Sequence, residues 1–241
     1  MRTYLITGAS KGIGLATAQQ LASEGHQVVG MARSEPSAKD GAAFTEFVRL
    51  DLSDEKARGT VFTELAANYE VGGILNNVGL VHPAPLEEIT LTEFDAVIDL
   101  NLRVALQLTQ AVVGGMRERQ WGRIVSTSSL VTVGVPHRTS YAAAKTALLS
   151  FTRSWALELA QDGITVNAVA PGPVATELFN TNNPPESESR QRYIDGIPMR
   201  RTGTPEEVAS ANCFLLGENS AFVTGQCLYV DGGSSIGKAP I

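Results

Sequence analysis

The chain has 241 residues, 43% of them hydrophobic, and a formal net charge of −6 at pH 7. That length and apolar content suit one large α/β domain, and the acid excess argues against a general nucleic-acid binder, which would carry a basic face. Apolar stretches such as Val71–Leu75 and Ile164–Ala170 fall far short of the ~20 residues a bilayer span needs, and two cysteines, Cys213 and Cys227, behind an amino terminus that enters a strand almost at once read as reduced thiols of a soluble cytoplasmic protein.

In chain order, the first expected strand is Thr3–Thr7, which stops at Gly8, Ala9, Ser10, Lys11, Gly12, Ile13 and Gly14. A helix over Gly12–Glu24 follows, with Leu15, Ala18 and Leu21 at helical spacing. A glycine turn between strand and helix lets the backbone approach a pyrophosphate, toward which the helix N-terminus points its N–H groups. The second strand, Gln27–Ala32, ends at Arg33, where an enzyme using NAD would carry an acid for the ribose 2′-hydroxyl. Arg33 and Lys11 together offer two cations to a 2′-phosphate, which predicts NADPH over NADH. A third strand, Phe47–Leu50, leads to Asp51, then to a helix over Asp54–Asn68 capped at Ser53.

The fourth strand, Gly73–Asn76, runs into Asn77-Val78-Gly79, and a long helix over Thr92–Arg119, capped at Thr90, carries Asn101 amid Leu100, Leu102 and Val104. The fifth strand, Arg123–Thr127, gives way to Ser128 and Ser129, ahead of a helix over Tyr141–Gln161. The sixth strand, Thr165–Val169, precedes Pro171, Gly172, Pro173, Val174, Ala175 and Thr176. The segment from Glu177 to Arg200 is polar, with Pro184 and Pro185, and reads as a mobile lid. A helix over Pro205–Leu216, capped at Thr204, and a strand over Cys227–Val230 complete the pattern. Strands alternating with helices predict a doubly wound parallel sheet of about seven strands with helices on both faces, its ligand beyond the carboxyl ends of the strands.

Tyr141 and Lys145 stand four residues apart, which places phenol and ammonium on one helix face. A cation fixed beside a phenol favours the phenolate and brings its pKa down from about 10 toward working range. Such a pair is a candidate acid near neutral pH. The histidines His26, His82 and His137 read as loop or surface residues, and no cluster has metal-ligand spacing.

The glycine turn, Asn76-Asn77-Val78-Gly79, the Tyr141/Lys145 pair and Pro171–Thr176, in this order and at these separations, resemble the short-chain dehydrogenases/reductases from Thr3 to Gly233. Gly225-Gln226 and Val230-Asp231-Gly232-Gly233 resemble the 3-oxoacyl-(acyl-carrier-protein) reductase-like branch. The resemblance implies a single Rossmann domain over the whole chain and an NADPH-dependent oxidoreductase interconverting a ketone or 3-oxoacyl thioester with a secondary alcohol. The alternatives are a broad carbonyl or sugar-alcohol dehydrogenase, and a nucleotide-binding regulator without catalysis.

By resemblance, Tyr141 is the acid, Lys145 holds the cofactor ribose, and Asn101 holds a water in a proton relay. Asp51 then contacts the adenine edge, Asn77 and Gly79 lie along the adenosine ribose, and Val174 and Thr176 touch the nicotinamide carboxamide. The family serine falls on Ser128 by distance from the tyrosine and on Ser129 by strand alignment; strand register favours Ser129. The resemblance also implies a homotetramer or homodimer paired through the two long helices. Acidic Asp162 stands where carrier-docking enzymes are often basic, leaving Arg117, Arg119 and Arg123 as the candidate docking patch.

Overall fold

The computed structural model describes residues 1–236, in which seven strands lie side by side. They are β1 (Thr3–Thr7), β2 (Gln27–Ala32), β3 (Glu46–Arg49), β4 (Val71–Asn76), β5 (Gly122–Thr127), β6 (Ile164–Pro171) and β7 (Cys227–Val230). Every pairing is parallel, in the order β3-β2-β1-β4-β5-β6-β7. The order reverses between β1 and β4, so the crevice expected of a doubly wound sheet opens beyond the carboxyl ends of those two strands.

Helices cover both faces, which is why β1, β4, β5 and β6 are buried along their whole lengths and read as nearly unbroken apolar runs. The period of two sends alternate residues to separate cores. Leu5, Val29, Ile74, Ile124 and Val166 pack under α2 (Glu55–Asn68), α4 (Val104–Glu118) and α5 (Thr139–Leu159). Tyr4, Ile6, Val28, Leu75, Val125 and Val169 pack under α1 (Gly12–Ser23) and α8 (Pro205–Leu216). α8 is opened by a capping box between Thr204 and Glu207 with Pro205 at its first position, and Asn212 Nδ2 donates to Thr17 Oγ1 at 3.1 Å, bracing α1 from behind.

Several expected elements take another form. The long helix is divided: α3 (Leu91–Ile98) leads into a wider π turn, Asp99–Arg103, before α4 begins. The cap of α2 is Asp54, which accepts from Ala57 N at 3.0 Å; Ser53 instead donates to Asp51. Residues 177–200 hold two short helices, α6 (Glu177–Asn182) and α7 (Glu188–Gly196), where irregular chain was expected. Side-chain caps at Thr176 and Ser187 start them, and an edge-to-face pair of Phe179 and Tyr193 with centroids 5.4 Å apart joins them.

The helical run Leu91–Glu118, 28 residues long, is by length and composition apolar enough to cross a bilayer. Its Val104, Leu108, Val112 and Met116 are buried, and they pack with the core beneath α2 and α5. Both cysteines are free thiols, Cys213 buried and Cys227 half-buried.

Candidate active site

Two glycines of the turn after β1 have no room for a side chain. A Cβ on Gly8, whose φ is +67°, would lie 3.0 Å from Val78 Cα, and one on Gly14 would lie 2.4 Å from the Gly8 carbonyl oxygen. Helix α1 starts at Gly12 with no side-chain cap, so its first N–H groups are open to an anion. Asn77 holds the turn from the neighbouring strand: its Nδ2 donates to the Thr7 and Gly8 carbonyls, both at 3.1 Å, while Thr127 Oγ1 donates to its Oδ1 at 3.2 Å.

Around this turn lie the other residues expected to bind a cofactor. Ser10 is half-exposed on the turn, and Ile13 packs into the core beneath it. A Cβ on Gly12 would approach Thr176 Cγ2 to 3.4 Å, so the segment Pro171–Thr176 arches over the turn. Within it Gly172 passes close under Asp231, Val174 is buried, and Thr176 caps α6 by accepting from Phe179 N. Arg33 and Asp51 are exposed beyond the ends of β2 and β3. Asp51 Oδ1 accepts from Ser53 Oγ at 2.7 Å and Ser53 N at 3.0 Å, and these bonds, with a smaller contribution from Arg33, hold its carboxyl below the ordinary range. Lys11 differs from expectation, since its ammonium is paired with Glu177 Oε2 at 3.1 Å, at the start of α6.

The second cluster lies at the carboxyl ends of β4 and β5. Lys145 is buried, its Nζ donates to the Thr127 carbonyl at 2.8 Å, and it sits 5.5 Å from the Tyr141 ring centroid. A Cβ on Gly79 would stand 3.0 Å from Asn101 Oδ1 and 3.6 Å from Lys145 Nζ, so lysine and asparagine border the same small space. Asn101 Nδ2 donates to the Leu80 and Val97 carbonyls at 2.8 Å each, which leaves its buried Oδ1 without a protein partner. The two serines separate cleanly. Ser128 is buried and donates to the Lys145 carbonyl at 3.1 Å, whereas Ser129 Oγ accepts from Val131 N at 3.3 Å and interacts with the Tyr141 phenol.

The electrostatics correct one expectation. Burial pushes the Tyr141 phenol up to about 12, against smaller lowering effects of Ser129 and then Arg138. Burial also brings the Lys145 ammonium down to about 7, and among the described residues no carboxylate pairs with it to oppose that. Sequence reasoning missed Thr127, which serves both clusters, Arg138 beside the phenol, Glu177 on Lys11, and a buried ion pair of Arg58 with Asp99. A cation at position 58 on the apolar stripe of Phe62 and Leu65 was the available signal for the last. His26 meets Tyr4 edge to face, His82 and His137 are exposed, and among the described residues no three His, Cys, Asp or Glu side chains form a metal cluster.

Geometry and charge together fit a dinucleotide: a turn in which two glycines have no room for a side chain, an uncapped helix N-terminus, and Arg33 near the strand end. The folded pKa of Lys145, about 7, lies below the unfolded value of 10.5. Between those values the unfolded chain binds the extra proton, so stability rises with pH. The stability difference between wild type and Lys145→Met in urea unfolding should therefore grow from pH 7 to pH 10, by on the order of a few kcal/mol. A pH-independent difference would contradict a neutralised lysine.

A profile described as enoyl-(acyl carrier protein) reductase matches residues 8–235. The 3-oxoacyl-(acyl-carrier-protein) reductase of Vibrio harveyi is 37% identical over 241 residues, covering 95% of each chain. That of Mycobacterium avium is 35% identical and covers 98% of this chain and 91% of its own. Among solved structures, a candidate NAD(P)-dependent gluconate 5-dehydrogenase from Beutenbergia cavernae with NADP bound superposes with a TM-score of 0.91 at 34% identity, covering 97% of this chain and 96% of its own. Levodione reductase superposes at 0.90 with 30% identity over 98% of both chains. With motifs, sheet order and relatives in agreement over nearly the full length, the chain belongs to the short-chain dehydrogenase/reductase family.

Proposed function

We propose that this oxidoreductase, which interconverts a carbonyl compound and a secondary alcohol with NADP(H), does so with Tyr141 as the acid, Ser129 and Lys145 beside it, and Asn101 in support. The observation that carries the assignment is the convergence of Ser129, Tyr141, Lys145 and Asn101 next to the glycine turn. Ser129 Oγ has one lone pair engaged by Val131 N, and its O–H, which lies against the Tyr141 phenol, would turn to a substrate carbonyl on binding, whereas the Ser128 O–H is engaged by the Lys145 carbonyl. NADPH, held along Gly8, Ser10, Gly12, Ile13 and Gly14 with its 2′-phosphate at Arg33, supplies the hydride when bound. As negative charge grows on the carbonyl oxygen, Ser129 orients that oxygen and Tyr141 transfers its phenolic proton to it. A phenol held at about 12 does not ionise idly at neutral pH, and the charge it takes up on donating is shared with Lys145 at the next turn of the helix. Lys145 then gives a proton to the phenolate and would regain one from solvent through a water held at Asn101 Oδ1. The other expected cofactor contacts follow the same path: Asp51 toward the adenine, Asn77 and Gly79 toward the ribose, and Pro171, Gly172, Val174 and Thr176 toward the carboxamide. Lys11 joins the phosphate only by leaving Glu177.

The substrate is a free ketone rather than a carrier-bound thioester. Arg117 is paired with Asp162 at 2.9 Å, Arg119 donates to the Val71 carbonyl at 2.7 Å, and Arg123 is buried, so the candidate docking arginines are engaged within the chain. The names of the relatives favour the alternative of a 3-oxoacyl thioester. NADPH oxidation on a panel of free ketones and a carrier-linked 3-oxoacyl thioester separates the two. Turnover of free ketones within ~10-fold of the carrier-linked substrate in kcat/KM is expected, and a preference beyond that would reverse the choice. In either case Tyr141→Phe should lose at least ~10²-fold in turnover while still binding NADPH.

Cofactor choice rests on Arg33. Arg33→Asp should reduce the ratio of kcat/KM for NADPH to that for NADH by ~10- to 100-fold, through loss of a charge-assisted bond and added repulsion. A wild-type preference for NADH would refute the assignment.

The oligomer is a homodimer or homotetramer built on the helix pair α4 and α5. Leu157 on α5 is 85% exposed, and apolar positions of α4 such as Ala111 and Val113 are only partly covered. Closed symmetry then follows. Light scattering at micromolar concentration should give two or four chains, and a monomer would refute the pairing.

A further inference from the structure

Arg58 is fully buried, on the face of α2 that also buries Phe62 and Leu65. A guanidinium in such a place is strongly destabilising unless its donors are met. Here four of its five donors are met. Nη1 and Nη2 donate to the two carboxylate oxygens of Asp99 at 2.7 and 2.8 Å, Nη1 also donates to the Leu52 carbonyl at 2.8 Å, and Nε donates to Gln107 Oε1. The paired fork fixes the carboxylate in both direction and distance, which a single ammonium does not do. The other cation at Asp99, Arg103, is exposed and stands 3.9 Å away.

Asp99 opens the π turn, and Asn101 lies two residues further on. A π turn carries one residue more than an α turn, so its relaxation to regular helix would swing the Asn101 carboxamide about 100° around the axis. At present that carboxamide is held so that its buried, unpartnered Oδ1 faces the space beside Gly79 and Lys145. A buried carbonyl oxygen in that state takes a water or a ligand group as partner.

We propose that Arg58 is a positioning residue for the reducing centre: by gripping Asp99 it holds the π turn in the form that aims Asn101 Oδ1 at the Lys145 pocket. The inference rests on the reading of Asn101 given above. It gives the buried pair a catalytic consequence, although Arg58 touches neither substrate nor cofactor.

The test is steady-state NADPH-dependent ketone reduction by Arg58→Lys, Arg58→Met, Asn101→Ala and the two double variants, each shown to be folded by circular dichroism. Arg58→Lys keeps a charge opposite Asp99 and loses the fork, so it serves where Arg58→Met does not fold. Arg58→Lys should lower kcat ~10- to 100-fold and leave both KM values within about twofold. In the Asn101→Ala background it should add no more than about twofold, because the two act through one element. A purely structural arginine would lower the melting temperature and leave kcat per folded enzyme alone. Near-wild-type kcat in Arg58→Lys beside a slow Asn101→Ala overturns the positioning role, as do losses that multiply in the double variant. A wild-type rate in Asn101→Ala overturns the reading of Asn101 itself, and the positioning role with it.

Discussion

Asn77 ties three strand ends together with one side chain. Its amide nitrogen holds the carbonyls at the end of β1, and its amide oxygen takes the hydroxyl of Thr127 at the end of β5. The backbone carbonyl of that same threonine holds Lys145 Nζ. The cofactor turn and the lysine of the reacting centre are therefore connected through two residues, both on strands that the core fixes. A side chain at Gly8 or Gly14 would displace Asn77 and so disturb both clusters, since the space it would fill is already occupied by that amide or its acceptor. The β1/β4 reversal gives the crevice its location, and Asn77 gives it a shape.

The same compactness governs charge. Lys145 and Tyr141 are both shifted toward their neutral forms, one down to about 7 and the other up to about 12, and burial is the leading cause for each. Isolated charge in this pocket is disfavoured on either residue alone. A phenolate and an ammonium formed together offset each other, so proton movement is favoured when it is shared. The missing carboxylate beside Lys145 matters here: a fixed anion would keep the ammonium permanently paired and raise the cost of giving up its proton.

The sequence made the local signals legible and hid the distant ones. Gly8, Gly12 and Gly14, Tyr141 with Lys145, and the apolar runs of β1, β2 and β7 declare themselves within a few residues, because turn geometry, helical spacing and burial act at that range. Arg58 and Asp99 lie 41 residues apart and Lys11 and Glu177 lie farther still, so only the folded chain brings them together. The π turn at Asp99–Arg103 was hidden for a related reason: its apolar spacing reads as continuous helix, and the force holding it comes from α2. Residues 177–200 misled by composition, since their prolines and serines suggest irregular chain while Thr176 and Ser187 supply caps and Phe179 meets Tyr193 across the two helices. The two serines differ in direction, with Ser128 turned to the α5 backbone and Ser129 toward the phenol, which supports the choice of Ser129 by strand register.

Relatives that superpose at TM-scores near 0.9 include a levodione reductase and a candidate gluconate dehydrogenase, so the shared sheet does not decide the substrate. In this chain the boundary between common machinery and individual pocket runs through Arg138, the residue at the N-terminal edge of α5. It follows His137, which adopts a positive φ of 59°, and the exposed stretch from Val133 to Pro136. The charge of Arg138 lowers the Tyr141 pKa, after the larger effects of burial and Ser129. The loop before α5 therefore bears on the phenol through one guanidinium, while the glycine turn is held separately, by Asn77.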